Sequence, residues 1–162
     1  MKFRITNSHD QIIHGVIAGF AGGIAESVFA YTTKMLNFTD RIFMDYGEVL
    51  ILGQHKPGGG LLLGLIAHLV NASFWGVVFS YIMKFGKKKY YVLKGIGLGL
   101  IIWLFSLGMA TLFKLPLFEK IESNVGYVLF IGSIIYGSVM SSIYRYLDKK
   151  LQNDLGTLEG FR

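Results

Sequence analysis

Apolar residues fill this chain in four long blocks, and polar residues gather between them. The blocks are Gln11–Leu36, Leu61–Met83, Tyr91–Phe113 and Val125–Leu147. None contains more than two charged residues: Glu26 and Lys34 in the first, Lys94 opening the third, Arg145 closing the fourth. A helix needs roughly 20 apolar residues to cross a hydrocarbon core of ~30 Å, so each block predicts a transmembrane helix. A soluble helix carries its apolar residues on one stripe; here they fill the whole block, which argues against four buried helices of a soluble domain. Lys2 and Arg4 could head a secretory signal, but the apolar run continues well past Glu26, so the first span is expected to be retained.

The segment from Asn37 to Gly60 is too long for a plain hairpin. Thr39 and Asp40 can cap a helix, and an acidic residue suits its positive N-terminus. Ile42, Phe43, Tyr46, Val49 and Leu50 recur at helical spacing, with Arg41, Asp45 and Glu48 on another face. The pattern predicts a short amphipathic helix over about 39–52, resting in the membrane interface or docked over the spans as a lid. Gly47 weakens it by ~1 kcal/mol relative to alanine. Pro57 and Gly58–Gly60 end it. The expected fold is therefore an all-α integral membrane protein: one domain, a four-transmembrane-helix bundle with an amphipathic helix in the first outer loop, and a tail over 148–162.

Composition agrees with this. Of 162 residues, 52% are hydrophobic and 16% charged, against ~25% charged in soluble domains. There is no cysteine, which excludes a disulfide scaffold and thiolate metal sites. Both prolines, Pro57 and Pro116, fall between spans, so no span is broken by proline. Lysine and arginine are unevenly shared: eleven lie at the termini and around Lys84–Lys94, five on the other side. The positive-inside rule puts both termini and the Lys84–Lys89 loop in the cytoplasm. Lys84, Lys87, Lys88 and Lys89 then face anionic lipid head groups. Nothing interleaves aromatic residues with these charges as a nucleic-acid surface would, so no nucleic-acid partner is expected. Tyr90, Tyr91, Tyr144 and Tyr146 read as an interfacial aromatic belt, and Trp75 and Trp103 as packing residues near mid-span.

Small residues recur every four positions on the first span: Gly15, Gly19, Gly23 and Ser27. Gly95 and Gly99 do so on the third, Ser133, Gly137 and Ser141 on the fourth, and Ala72 and Gly76 on the second. Such faces let helix backbones approach closely, within one bundle or against a second copy or a larger membrane partner. Residues 14–38 set over 94–118 also match at five positions: Gly15, Gly19, Ala30, Lys34 and Phe38 with Gly95, Gly99, Ala110, Lys114 and Phe118. The match reads either as the trace of a parallel two-helix repeat or as the coincidence that glycine-rich spans produce.

The candidate chemistry lies within the spans. Ionisable groups at mid-membrane are costly and usually face a bundle interior. Glu26 lies roughly 15 Å below the end of its span, His68 roughly 10 Å and Asn71 roughly 15 Å from the start of theirs, at 1.5 Å per residue. Similar depth on consecutive antiparallel spans predicts a Glu26, His68 and Asn71 cluster. It reads either as a proton, ion or substrate site, with Glu26 titrating and His68 as relay, or as a carboxyl that hydrogen-bonds a neighbouring helix. No two histidines share a depth on facing spans, so haem is not expected; neither a metal nor another cofactor is. The glycines of Gly15–Gly23 lie inside an apolar run and follow no strand, so they are not a nucleotide loop. No catalytic constellation appears, and no enzyme activity is expected. The leading expectation is a small structural or accessory membrane protein that associates through its glycine faces. The alternative is a proton-coupled small-molecule transporter or channel using Glu26.

Residues 11–148 resemble the uncharacterised four-pass proteins of clostridia and other spore-forming Firmicutes. The likeness lies in the glycine-rich first span, Asp45-Tyr46-Gly47-Glu48-Val49-Leu50 running to Gly53 and Pro57, Lys94-Gly95 leading toward Trp103, and Ile135-Tyr136-Gly137 leading toward Leu147-Asp148. It implies the four-span topology and a bacterial inner membrane, with no activity attached. The chain is also similar to small multidrug resistance transporters in having four spans and a mid-membrane glutamate in the first. Ala25-Glu26-Ser27 departs from their glutamate surroundings, and the helix after the first span has no counterpart there.

Overall fold

The computed structural model describes the backbone of residues 6–55 and 59–160, and the side chains of 11–55 and 59–151. The readings that involve Lys2, Arg4, Lys56, Pro57, Gly58 and Arg162 lie outside these residues. Five helices follow in order: α1 (Thr6–Met35), α2 (Phe43–Leu52), α3 (Leu61–Phe85), α4 (Tyr91–Leu112) and α5 (Ser123–Gly160). There is no strand among the described residues. Four of the helices are long and apolar enough to cross a membrane, over Gln11–Met35, Leu61–Phe85, Tyr91–Leu112 and Ser123–Leu151. The last helix runs on without a break into the expected tail.

Helix α1 packs along α3 on one side and α5 on the other, and α5 in turn carries α4. Glycine makes the two tightest seams possible. A Cβ on Gly15 would lie 2.7 Å from the Gly76 carbonyl oxygen, and one on Gly19 would lie 2.9 Å from the Gly76 Cα. In the other seam, Gly95 and Gly99 meet the carbonyl oxygens of Gly137 and Ser133. Side chains at any of these four positions would push backbones apart.

The two seams are built by equivalent residues. An offset of 80 carries Gly15 and Gly19 onto Gly95 and Gly99, and an offset of 61 carries their partners Gly76 and Ala72 onto Gly137 and Ser133. The α1–α3 hairpin and the α4–α5 hairpin thus repeat one crossing, with the α2 segment as extra length in the first. Asn37 and Leu117, also 80 apart, both adopt the left-handed conformation just beyond their helices, at φ 56° and 67°.

The repeat is not carried through to the contacts between hairpins. Helices α1 and α5 pack closely, because Gly22 lets Tyr136 Cδ2 and Met140 Cβ come within the space of a Cβ, at 3.0 Å each. The α4 residue equivalent to Gly22 is Ile102, and the α3 residues equivalent to Tyr136 and Met140 are Trp75 and Phe79. Ile102 and Trp75 both pack against the cluster that contains Phe79. Their bulk, where the twin seam has a glycine, holds α4 off α3, and the two helices scarcely touch.

Helix α2 corrects part of the sequence reading. It begins at Phe43, not near Thr39, with Ile42 preceding it and Thr39 Oγ1 bonded to the Arg41 backbone. The expected polar face is inside: Asp45 and Glu48 are 2% and 1% exposed, while Leu50 and Ile51 are 61% and 51% exposed. The reason is local pairing. Asp45 accepts hydrogen bonds from Lys34 Nζ at 2.7 Å and from the Ile42 N–H at 2.9 Å. Glu48 lies 3.1 Å from His55 Nδ1 and packs against Gly60. The helix is docked, with Gly47 against the Gly64 backbone of α3. The tyrosine belt is corrected as well. Tyr90 and Tyr146 are exposed, but Tyr91 and Tyr144 are buried in the core, where Tyr91 Oη donates to Asp148 at 2.9 Å.

Candidate functional site: a cleft between α3 and α4

The gap between α3 and α4 is a cavity of about 270 Å³. All five helices reach it: Glu26 from α1, Phe43, Tyr46, Gly47 and Leu50 from α2, and His68, Asn71 and Trp75 from α3. Ile102, Phe105 and Ser106 come from α4, and Ser133 and Tyr136 from α5. Its lining is mostly apolar and rich in rings.

Glu26 lies deep in the cleft, 4% exposed, with its side chain against Gly132 of α5. Gly132 leaves the carboxyl its room: a Cβ there would lie 3.1 Å from Glu26 Oε1. On the other side, Glu26 Oε2 comes within 3.5 Å of His68 Nε2. The two groups face each other at ion-pair distance without the alignment of a hydrogen bond. Glu26 Oε1 and His68 Nε2 are both buried without a hydrogen-bond partner among the described residues. The imidazole is held in place by stacking on Phe43, with ring centroids 5.9 Å apart and planes 12° apart.

All three expected site residues therefore line one cavity, in different roles. Glu26 and His68 form its buried pair. Asn71 is exposed and stands at the mouth with Leu50 and Phe105. The mouth opens sideways. Ile66, Val70 and Phe74 on α3 and Ile101 and Leu104 on α4 flank it, all large, apolar and at least 51% exposed. Helix α2 covers the cleft at the end away from the Lys84–Lys89 loop, so it acts as a roof. Tyr46 ties that roof across to α4, its hydroxyl 3.4 Å from the Ser106 carbonyl oxygen. Burial pushes the Tyr46 hydroxyl pKa up from its ordinary value.

The sequence reading missed the aromatic lining, which comes from four different helices, and the repeat explains part of it. Trp75 and Tyr136 are equivalent residues, as are Ala72 and Ser133, and Glu26 and Ser106. All six line the cavity, so it straddles the axis that relates the hairpins. The sequence reading also missed a second cluster, of Asp45, Glu48 and His55, whose oxygen and nitrogen atoms all lie within 4.8 Å of one another. With Lys34 bonded to both Asp45 oxygens, this cluster clasps α2 to the end of α1 and to the loop before α3.

The expected packing residues sit in the interior. Gly15, Gly19 and Gly23 face α3; Gly95 and Gly99 face Gly137 and Ser133 of α5; Ser27 is buried. Of the four loop lysines, Lys88 is bonded to Asp148 at 2.7 Å, and Lys84, Lys87 and Lys89 are exposed.

A family model described as a family of unknown function (DUF6789) matches residues 9–155. No curated protein and no solved structure matches the chain.

Proposed function

The chain belongs to DUF6789, a family of unknown function, and from that premise we propose that it is a proton-coupled carrier of a small molecule reached through the bilayer. The observation that carries this reading is the sideways mouth. A cleft walled by apolar side chains, flanked by exposed apolar helix faces and ending on the Glu26–His68 pair suits a molecule dissolved in lipid. The helices form a four-span bundle in a bacterial inner membrane, with the termini and the Lys84–Lys89 loop cytoplasmic and the α2 roof on the other side. Lys84, Lys87 and Lys89 meet lipid head groups there. No enzyme chemistry is part of this reading.

Occupancy tests it. With Trp103→Phe leaving Trp75 as the fluorescent reporter, 1-bromooctane dissolved in proteoliposomes is expected to quench Trp75 saturably. Ser106→Phe, which fills the cleft, is expected to abolish the saturable part. Equal, non-saturating quenching in both proteins overturns the reading.

A second reading, an accessory protein that associates with itself or a larger membrane partner, has one observation in its favour. Gly97 and Gly108 on α4 have open space beside them, whereas the glycines of α1 are packed against α3 and α5. Association through glycine would therefore use α4.

A further inference from the structure

Independently of the cleft, we propose that Asp45, Glu48 and His55 bind one divalent transition-metal ion, of the zinc class, at the end of the bundle remote from the Lys84–Lys89 loop. Helix α2 supplies both carboxylates, three residues apart on one face, and the segment after it brings the imidazole to them. Their oxygen and nitrogen atoms all lie within 4.8 Å of one another, and His55 Nδ1 stands 3.1 Å from Glu48 Oε2. Two donors on one tetrahedral zinc ion sit roughly 3.4 Å apart, given bonds of about 2.1 Å. Small side-chain movements therefore suffice to bring all three onto one ion.

Two further observations point to a cation there. Lys34 Nζ, 2.7 Å from both Asp45 oxygens, already seats one positive charge on the cluster and stands in for an ion. Gly60 cradles the other carboxylate, since a Cβ at that position would fall on the Glu48 carboxyl. The Ile42 N–H, 2.9 Å from Asp45 Oδ2, fixes the direction of the first. Each carboxylate oxygen has two lone pairs, so these bonds leave capacity for a metal.

Charge selects the valence. Asp45 and Glu48 are both buried and bring two negative charges, against one positive charge on Lys34. A divalent ion neutralises both carboxylates and releases Lys34, whose side chain is 30% exposed and can turn to water. The ion and Lys34 thus exchange at Asp45. Donor type selects the metal: an imidazole beside carboxylates suits first-row transition ions, whereas magnesium and calcium take oxygen ligands. The half-buried His55 gives the ion its way in. Bound there, the ion pins to the segment before α3 the helix that carries Phe43 and Tyr46 over the cleft.

Zinc chloride titrated calorimetrically into the chelator-stripped chain in detergent tests the site. One ion per chain is expected, bound at least tenfold more weakly by His55→Ala. His55→Cys, which offers a thiolate in place of the imidazole, should recover most of that loss. Lys34→Met removes the competing ammonium, so it should bind zinc at least threefold more tightly, and zinc should raise its unfolding temperature more than that of the parent chain. Magnesium at the same concentration should not compete. The absence of saturable zinc binding by the parent chain overturns the site. Undiminished binding by His55→Ala does so too, since the zinc would then be held by other histidines. Equal zinc affinity in Lys34→Met and the parent overturns the exchange. His55 is partly exposed, so its replacement spares the core and decides the matter even where Asp45→Asn or Glu48→Gln fails to fold.

Discussion

Two buried carboxylates in this chain have opposite circumstances, and substitution should separate them. Asp45 is surrounded by donors: Lys34 Nζ bonds both its oxygens at 2.7 Å and the Ile42 N–H caps it. Lys34→Met keeps the stem and removes the charge, leaving a buried carboxylate without its counter-ion. A loss of about 1–3 kcal/mol is expected, since Lys34 is partly exposed, and thermal unfolding in detergent would measure it. Glu26, by contrast, faces His68 at 3.5 Å, and its Oε1 has no hydrogen-bond partner among the described residues. Glu26→Gln keeps shape and hydrogen-bonding capacity, so it should abolish substrate-driven proton movement in proteoliposomes with little change in unfolding temperature. A fall in stability without loss of flux would mark Glu26 as structural. Tyr46 adds a pH limit to the roof. Its hydroxyl is held above the ordinary value of 10.0 by burial, so the unfolded chain loses that proton first as pH rises. The roof's contribution is thus intact below pH 10 and declines above it, which hydrogen exchange of α2 against pH would follow.

Helices α3 and α4 are kept apart where the repeat departs from itself, with Ile102 standing where the twin seam has Gly22. Ile102→Gly should let α4 settle toward α3, at a helix cost of ~1 kcal/mol. Cysteines at Asn71 and Ser106 would report it, because these residues are the counterparts of Gly132 and Glu26, which touch in the α1–α5 seam. Faster oxidative cross-linking and lost quenching of Trp75 are expected in the Ile102→Gly chain; an unchanged rate would mean that Ile102 is not the wedge. At this scale the long helices were fully legible, since uninterrupted apolar runs leave few alternatives. The Glu26–His68 pairing was legible too, because depth along a helix follows from residue count. The orientation of α2 was not. A face containing Asp45 and Glu48 looks solvent-facing until Lys34, His55 and Gly60 are brought to it by the tertiary fold. The mouth's direction was also hidden, since it depends on which pair of helices fails to touch, and that rests on a comparison of Ile102 with Gly22 across two hairpins.

At the scale of the molecule, the glycines of α1 serve internal packing while those exposed on α4 remain open. Gly19→Leu should therefore unfold the chain. Gly97→Leu with Gly108→Leu should leave the fold intact and alter only its association, read as mass by light scattering in detergent. An unchanged mass would remove the support for α4 as an association face. Single cysteines at Lys88 and Glu119 are expected to label from opposite sides of the membrane; labelling from one side would overturn the four-span topology. The broken symmetry of the cavity has a stoichiometric consequence. Equivalent residues line its two halves, yet the counterpart of Glu26 is Ser106, so the axis carries one carboxyl rather than a facing pair. One carboxyl can hold one proton at a time. Titrations should give a single class of site with a Hill slope of one, and each turnover should move a single proton.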